Sequence, residues 1–154
     1  MLFNPTGATL DGIKIHTYTI IDDDTASVSV TNTAPGASEA GAVGNFRILR
    51  SGATNAPLQV NFQVTGTASA PADYAPLGTS VTIPAAVTFV DLPVIPVDDQ
   101  TVEHGETVVM TLLTAPGAKI VSPNVATVNI TDNDTNTLPV ITITSTNHPY
   151  AVEG

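Results

Sequence analysis

The sequence predicts an all-β protein, an antiparallel sandwich of about seven strands, and three observations carry that expectation. Val, Ile and Thr recur along the whole chain, and β-branched side chains pack well on a pleated surface. Apolar and polar residues alternate in short runs separated by turn residues. No window of a dozen residues places its apolar positions at helical spacing.

The strands follow in order. Ile13–Ile21 (IKIHTYTII) is the first candidate. Ala26–Thr31 (ASVSVT) alternates cleanly. Asn45–Arg50 (NFRILR) follows the glycine-rich turn Gly41–Gly44. Leu58–Val64 puts Leu58, Val60, Phe62 and Val64 on one face. Ser80–Ile83 is short. Val87–Val97 is long and carries Pro93 and Pro96, which cannot donate to a ladder, so this strand is expected at an edge or broken by a bulge. Thr107–Leu113 and Val125–Thr131 complete seven strands between Ala26 and Thr131, a spacing expected of a sandwich. Pro139–Thr144 (PVITIT) is one more, beyond the seven.

Composition narrows the function. Fourteen acidic residues face four basic ones, for a net charge of −10, which repels nucleic acid and anionic membranes and suits cations. There is no cysteine, so disulfides and thiolate metal sites are excluded. A cysteine-free, Thr-rich, Lys-poor chain fits an exported protein. No run approaches the roughly 18–20 apolar residues of a membrane span. Met1–Leu10 lacks the basic and apolar regions of a signal peptide. The chain stops at Glu153-Gly154 in mid-pattern, as a piece of something longer would.

The two ends resemble each other. Tyr18–Asp24 (YTIIDDD) matches Val128–Asp134 (VNITDND), with Asp22 and Asp132 separated by 110 residues. Ala26–Gly41 matches Pro139–Gly154, with Glu39 and Glu153 separated by 114. The reading is one complete repeat at residues 25–135. Residues 1–24 would be the last strand of a preceding copy or an extension, and residues 136–154 the first strand of a following copy or an extension.

The carboxylates are not scattered. Glu39 follows the first strand of the repeat. Asp73 lies in the loop Pro71–Tyr74. Asp98 and Asp99 end the long strand, and Glu103 and Glu106 follow in the next loop. Asp132 and Asp134 end the last strand of the repeat. None of these eight lies in mid-strand. Calcium, a hard cation, takes six to eight oxygen ligands from several segments, and converging loops at one end of a sandwich supply them. Without a cation, so many like charges together would repel and raise each other's proton affinity. Val87–Val97 runs into Asp98-Asp99 and Thr107–Leu113 returns as its antiparallel neighbour, so the strand ending at Asp132 is expected to point the same way as Val87–Val97, which puts both patches at one pole.

Other chemistries fit poorly. His16, His104 and His148 are too few and too dispersed for zinc, and His104 reads as a solvated loop residue. There is no phosphate loop, GxSxG elbow or nucleotide motif, and no Trp to line a cleft. No catalytic residue is expected, and the chain is read as a non-enzyme.

Four segments together resemble the Calx-β domain family: Ser38–Gly41, Gly66–Tyr74, Val97–Glu106 and Ala126–Asp134. The family is known from the cytoplasmic regulatory part of sodium–calcium exchangers and from tandem arrays in bacterial surface proteins. The resemblance implies a seven-stranded immunoglobulin-like sandwich that binds Ca2+ at one end. Glu39, Asp73, Asp98, Asp99, Glu103, Asp132 and Asp134 match ligand positions, and Glu106 matches a commonly acidic one. Asn133 and Gln100 stand where the exchanger domain has aspartates, so fewer or weaker sites are expected, about one to three ions from the ligand count.

The expected role is a calcium-rigidified repeat of an extracellular or cell-surface adhesin, matrix or fibre protein. Its partners would be neighbouring repeats or copies of itself, joined head to tail by sharing the end strands, with an unknown host or matrix ligand. The alternatives are a calcium-sensing regulatory domain, or an accessory domain of a secreted enzyme.

Overall fold

The computed structural model describes residues 17–19 and 25–135. Nine strands are found among them: β1 (Ala26–Ala34), β2 (Gly36–Ser38), β3 (Gly44–Ser51), β4 (Leu58–Gly66), β5 (Ser80–Ile83), β6 (Phe89–Val94), β7 (Glu106–Thr114), β8 (Ala118–Ile120) and β9 (Val125–Thr131). They form a four-stranded sheet, ordered β6-β3-β1-β8, and a five-stranded sheet, ordered β2-β9-β7-β4-β5. The all-β, two-sheet architecture is the one expected from the alternation.

Each of the seven strands expected between Ala26 and Thr131 is present. The count of seven is corrected by two short additions, β2 and β8. Both pair parallel, β2 with β9 and β8 with β1, so the sandwich is not antiparallel throughout. Pro35 explains the first. It cannot donate to a ladder, and it ends β1 in one sheet; the chain then resumes as β2 in the other. Three residues carry too little alternation to be seen in a sequence.

The expectation at Pro93 holds. β6 is an edge strand, bonded only to β3, with Pro93 opposite Asn45. One inference is corrected: β6 and β7 are not neighbours in a sheet. They lie in different sheets, and the segment between them crosses the end of the sandwich.

The core lies between the sheets. The alternate residues Val28, Val30, Phe46, Ile48, Val60, Phe62, Val108, Met110 and Val128 are fully buried. Gly44 is required where the sheets come together, since a Cβ there would lie 2.4 Å from Val128 Cγ1. Burying a Phe or Ile side chain in such a core contributes about 1.5–3 kcal/mol.

Several expectations lie outside the described residues: the strand Pro139–Thr144, the acids Asp22–Asp24 and Glu153, and His16 and His148. Of Ile13–Ile21 only Thr17–Thr19 is described. These three are not in a strand, and Tyr18 is 88% exposed.

Candidate metal centre

Four segments meet at the pole where β9 ends and β7 begins. The first is the tight turn after β2. Ser38 and Ala42 form a bridge, with Ser38 N–H donating to Ala42 O at 2.8 Å and Gly41 N–H to Ser38 O at 2.9 Å. Glu39 sits in that turn, and its N–H donates to Thr131 O at 3.1 Å. This ties Glu39 to the end of β9 and leaves it only 7% exposed.

The second segment joins β4 to β5. Asp73 Oδ2 accepts from Ser69 N–H at 2.6 Å and from Ser69 Oγ at 3.1 Å. The loop is strapped to the chain that follows β6: Val97 N–H donates to Asp73 O at 3.0 Å, and Ala75 N–H to Ile95 O at 2.9 Å. Buried Tyr74 anchors it. The family motif around Asp73 therefore does its structural work beside Asp98 and Asp99.

The third and fourth segments are 98–106 and 132–134. Asp99 Oδ1 accepts from Thr101 N–H at 2.6 Å. Glu103 N–H donates to Asp132 Oδ2 at 2.5 Å, and Asp134 N–H to Asp132 Oδ1 at 2.6 Å. Asn133 Nδ2 donates to Asp98 Oδ1 at 3.1 Å.

Two carboxylate triads result. Glu39, Asp132 and Asp134 form one; Asp73, Glu103 and Glu106 form the other. Within each, one oxygen per residue lies within 4.8 Å of the others. The hydrogen bond from Glu103 N–H to Asp132 links the two. Asp98 and Asp99 fall in neither triad. They flank the pole: both act on Asp134 through their charge, and Asp99 also acts on Glu39 and Glu103. Glu106 belongs to the second triad together with Asp73 and Glu103. Residues that escaped sequence reasoning are Ser69 and Thr101, which orient Asp73 and Asp99. The hydroxyl of Ser69, four residues before Asp73, was the available signal for the first; Thr101 donates from its backbone N–H, which residue identity does not reveal. Asn133, read only as a lost charge, is a donor that fixes Asp98.

The electrostatics show strain without a cation. Desolvation, then the charges of Asp132, Asp99, Glu103 and Asp134, hold the Glu39 carboxyl above its ordinary range. Glu103, Glu106 and Asp134 are raised the same way, with desolvation first and neighbouring carboxylates next. Asp132 runs the other way. Backbone N–H groups of Asp134 and Glu103 donate to it and hold it low, so it stays ionised at the centre of the group. Among the described residues the sole salt bridge is Arg47–Asp91, so no cationic side chain answers these charges. Two buried carboxylate oxygens, Glu39 Oε2 and Asp134 Oδ2, have no hydrogen-bond partner. Both belong to the first triad. Hard anionic oxygens from several loops, two of them buried and orphaned, are the donor set that calcium takes.

The sequence profile of the Calx-beta domain matches residues 22–134. No curated protein matches the chain significantly in sequence. Among solved structures, the crystal structure of the apo-form Calx CBD1 domain is similar, at 24% identity and a TM-score of 0.60, over 71% of this chain and 99% of that one. The calcium binding domain CBD12 of CALX1.1 is 25% identical, with a TM-score of 0.57, over 68% of this chain. CBD12 from CALX1.2 is also 25% identical, with a TM-score of 0.58 over 69%. The chain spans less than half of each CBD12 structure, 44% and 45%.

Proposed function

Since the chain belongs to the Calx-beta domain family, we propose that it is a calcium-binding repeat module whose metal centre is the double triad at the β9 pole. The observation that carries this reading is the pair of buried, unpartnered carboxylate oxygens on Glu39 and Asp134. An unsatisfied buried acceptor costs about 1–3 kcal/mol, and a fold retains it where a ligand fills the gap. The related CBD12 structure titled as a calcium binding domain supports the same assignment.

Two triads favour two ions, within the one to three expected from the sequence. Glu39, Asp132 and Asp134 would hold one, and Asp73, Glu103 and Glu106 the other. Asp98 and Asp99 would complete the shell between them. Bound calcium supplies the positive charge that six to eight close carboxylates lack.

The biological setting follows from the repeat. The complete unit is residues 25–135, flanked by pieces of neighbouring copies at 1–24 and 136–154. The chain leaves the sandwich at Asp132–Asp134, inside the metal centre, so occupancy would stiffen the joint to whatever follows. We read the module as a link in an extracellular or cell-surface adhesin, matrix or fibre protein, associating with neighbouring repeats and by head-to-tail sharing of the end strands. No helix among the described residues is long and apolar enough to cross a membrane. A calcium-sensing regulatory role is the second reading. It is favoured by the similarity to the two-domain CBD12 structures and by the same joint, which turns occupancy into a change of domain orientation.

The test is calorimetric titration of the chain with calcium after EDTA stripping, alongside thermal melts. Saturable binding with a rising melting temperature is expected, since a ligand that binds only the native state stabilises it by mass action. No heat and no shift at millimolar calcium would overturn the reading.

A further inference from the structure

Charge is distributed unevenly over the described residues. Eight of their nine acidic side chains lie at the metal pole, and the ninth, Asp91, pairs with Arg47 on the four-stranded sheet. The five-stranded sheet is different. In β4, β5, β7 and β9 the only ionisable residue is Glu106, which sits at the pole. The outward positions between are Thr, Asn, Gln, Ser and Val, ending in Leu113 and Val125, which are 50% and 46% exposed. A chain of net charge −10 thus carries, among its described residues, a broad sheet face with no charge on it.

We propose that this face docks a second copy of the chain, sheet against sheet, with the two acidic poles at opposite ends. Copies of one acidic chain repel wherever charged surfaces meet, and here that repulsion is smallest. A two-fold axis in the plane of the contact lies either along the strands or across them. The first choice sets two eight-carboxylate poles side by side. The second separates them by the length of the sandwich, so electrostatics selects it. The amides of Gln59, Gln63 and Asn129 and the hydroxyls of Thr111 and Thr127 each donate and accept, so the face is complementary to itself. With strands ~4.8 Å apart and ~3.4 Å per residue, the face measures roughly 20 by 24 Å and would bury about 1,000 Å² in total, the size of a weak, reversible contact. In a tandem array, tethering raises local concentration to about millimolar, enough to populate such a contact.

Sedimentation velocity on the 154-residue chain, from about 20 μM to about 1 mM and at two salt concentrations, tests this at the concentrations where weak contacts appear. The sedimentation coefficient should climb toward a dimer at the upper end, further at high salt, because screening relieves the net repulsion. Gln63→Glu, at an exposed position, should raise the dimer Kd about tenfold, and Gln63→Glu with Thr127→Glu further. Ser29→Glu, outward on the other sheet, adds the same charge and should change Kd by less than about twofold. The proposal is overturned if the chain stays monomeric at both salts, or if Ser29→Glu weakens association as much as Gln63→Glu does. Both sets run in calcium and in EDTA, so failure of the metal reading would leave this outcome separately visible.

Discussion

Glu39→Gln separates a metal ligand from a structural acceptor, because the two roles move stability in opposite directions. The substitution keeps the shape of the side chain and removes its charge. Glu39 is 7% exposed, Oε2 has no hydrogen-bond partner, and four carboxylates press on it. The amide of Gln would donate to those carboxylates instead of repelling them. Removing an unsatisfied buried acceptor recovers about 1–2 kcal/mol, which for a domain of this size raises the melting temperature by roughly 4–8 °C in EDTA. Calcium reverses the order. Loss of one anionic ligand should weaken the first triad at least tenfold, and each tenfold removes about 1.4 kcal/mol of ligand-linked stability. The calcium-induced shift should therefore shrink by about 5 °C or more. Differential scanning calorimetry of both proteins, with EDTA and with millimolar calcium, reads all four numbers. A variant that melts lower than wild type in EDTA and keeps the full calcium shift would refute the reasoning, since Glu39 would then be holding the turn.

Stability in EDTA should fall as pH rises above about 4.5, the ordinary glutamate value: Glu39, Glu103, Glu106 and Asp134 have raised native pKa values, so the native state binds more protons than the unfolded one in that window. Asp132, held low, contributes the opposite sign and is outnumbered; with calcium present the trend should invert, because protons compete for the ligands, and melts at closely spaced pH values read both slopes. Gly66→Ala should lower the melting temperature by more than about 10 °C or prevent folding, since Gly66 has φ +132° and a Cβ would lie 2.0 Å from Thr107 O; circular dichroism during heating checks it. Asp91→Asn should cost less than about 1 kcal/mol, because the Arg47–Asp91 pair is a third exposed on both sides. Denaturant titration resolves that value, and a loss above about 2 kcal/mol would mean that the stacking of Arg47 on Phe89 at 4.0 Å depends on the pair.

Strands with five or more alternating residues were legible because alternation encodes a buried face directly. The edge position of β6 was legible from Pro93, a residue that removes a donor whatever surrounds it. The partition into sheets was not: β6 and β7 each look like half-buried strands, and nothing local says that the chain crosses the sandwich between them. The same limit applied at the metal pole. That eight carboxylates avoid mid-strand positions is a property of the sequence; Glu106 opens β7 and the other seven lie outside the strands. That Glu106 joins Asp73 and Glu103, while Asp98 is held aside by Asn133, depends on how four loops fold against one another. Such pairings come from backbone hydrogen bonds, Glu103 N–H to Asp132 above all, and a backbone donor leaves no trace in residue identity.

The contrast between body and pole separates what holds the fold from what a cation would bind. The body is closed by an apolar core and ladders of short strands whose only carboxylates are Asp91 and, at the pole end of β7, Glu106. The pole concentrates eight of the nine acidic side chains among the described residues, seven of them in segments outside the strands. Asp132, fixed by two backbone donors, is favoured in its ionised form. It is shared by hydrogen bonding between both triads, so whatever neutralises one alters the charge that the other sees. Two ions bound this way would not be independent. A first ion at Glu39 and Asp134 would, through Asp132 and its hydrogen bond from Glu103 N–H, alter the second triad. Calorimetric titration should accordingly show Asp132→Asn weakening both binding steps, and Glu106→Gln chiefly one. Equal effects of the two substitutions would mean that the triads act as a single site.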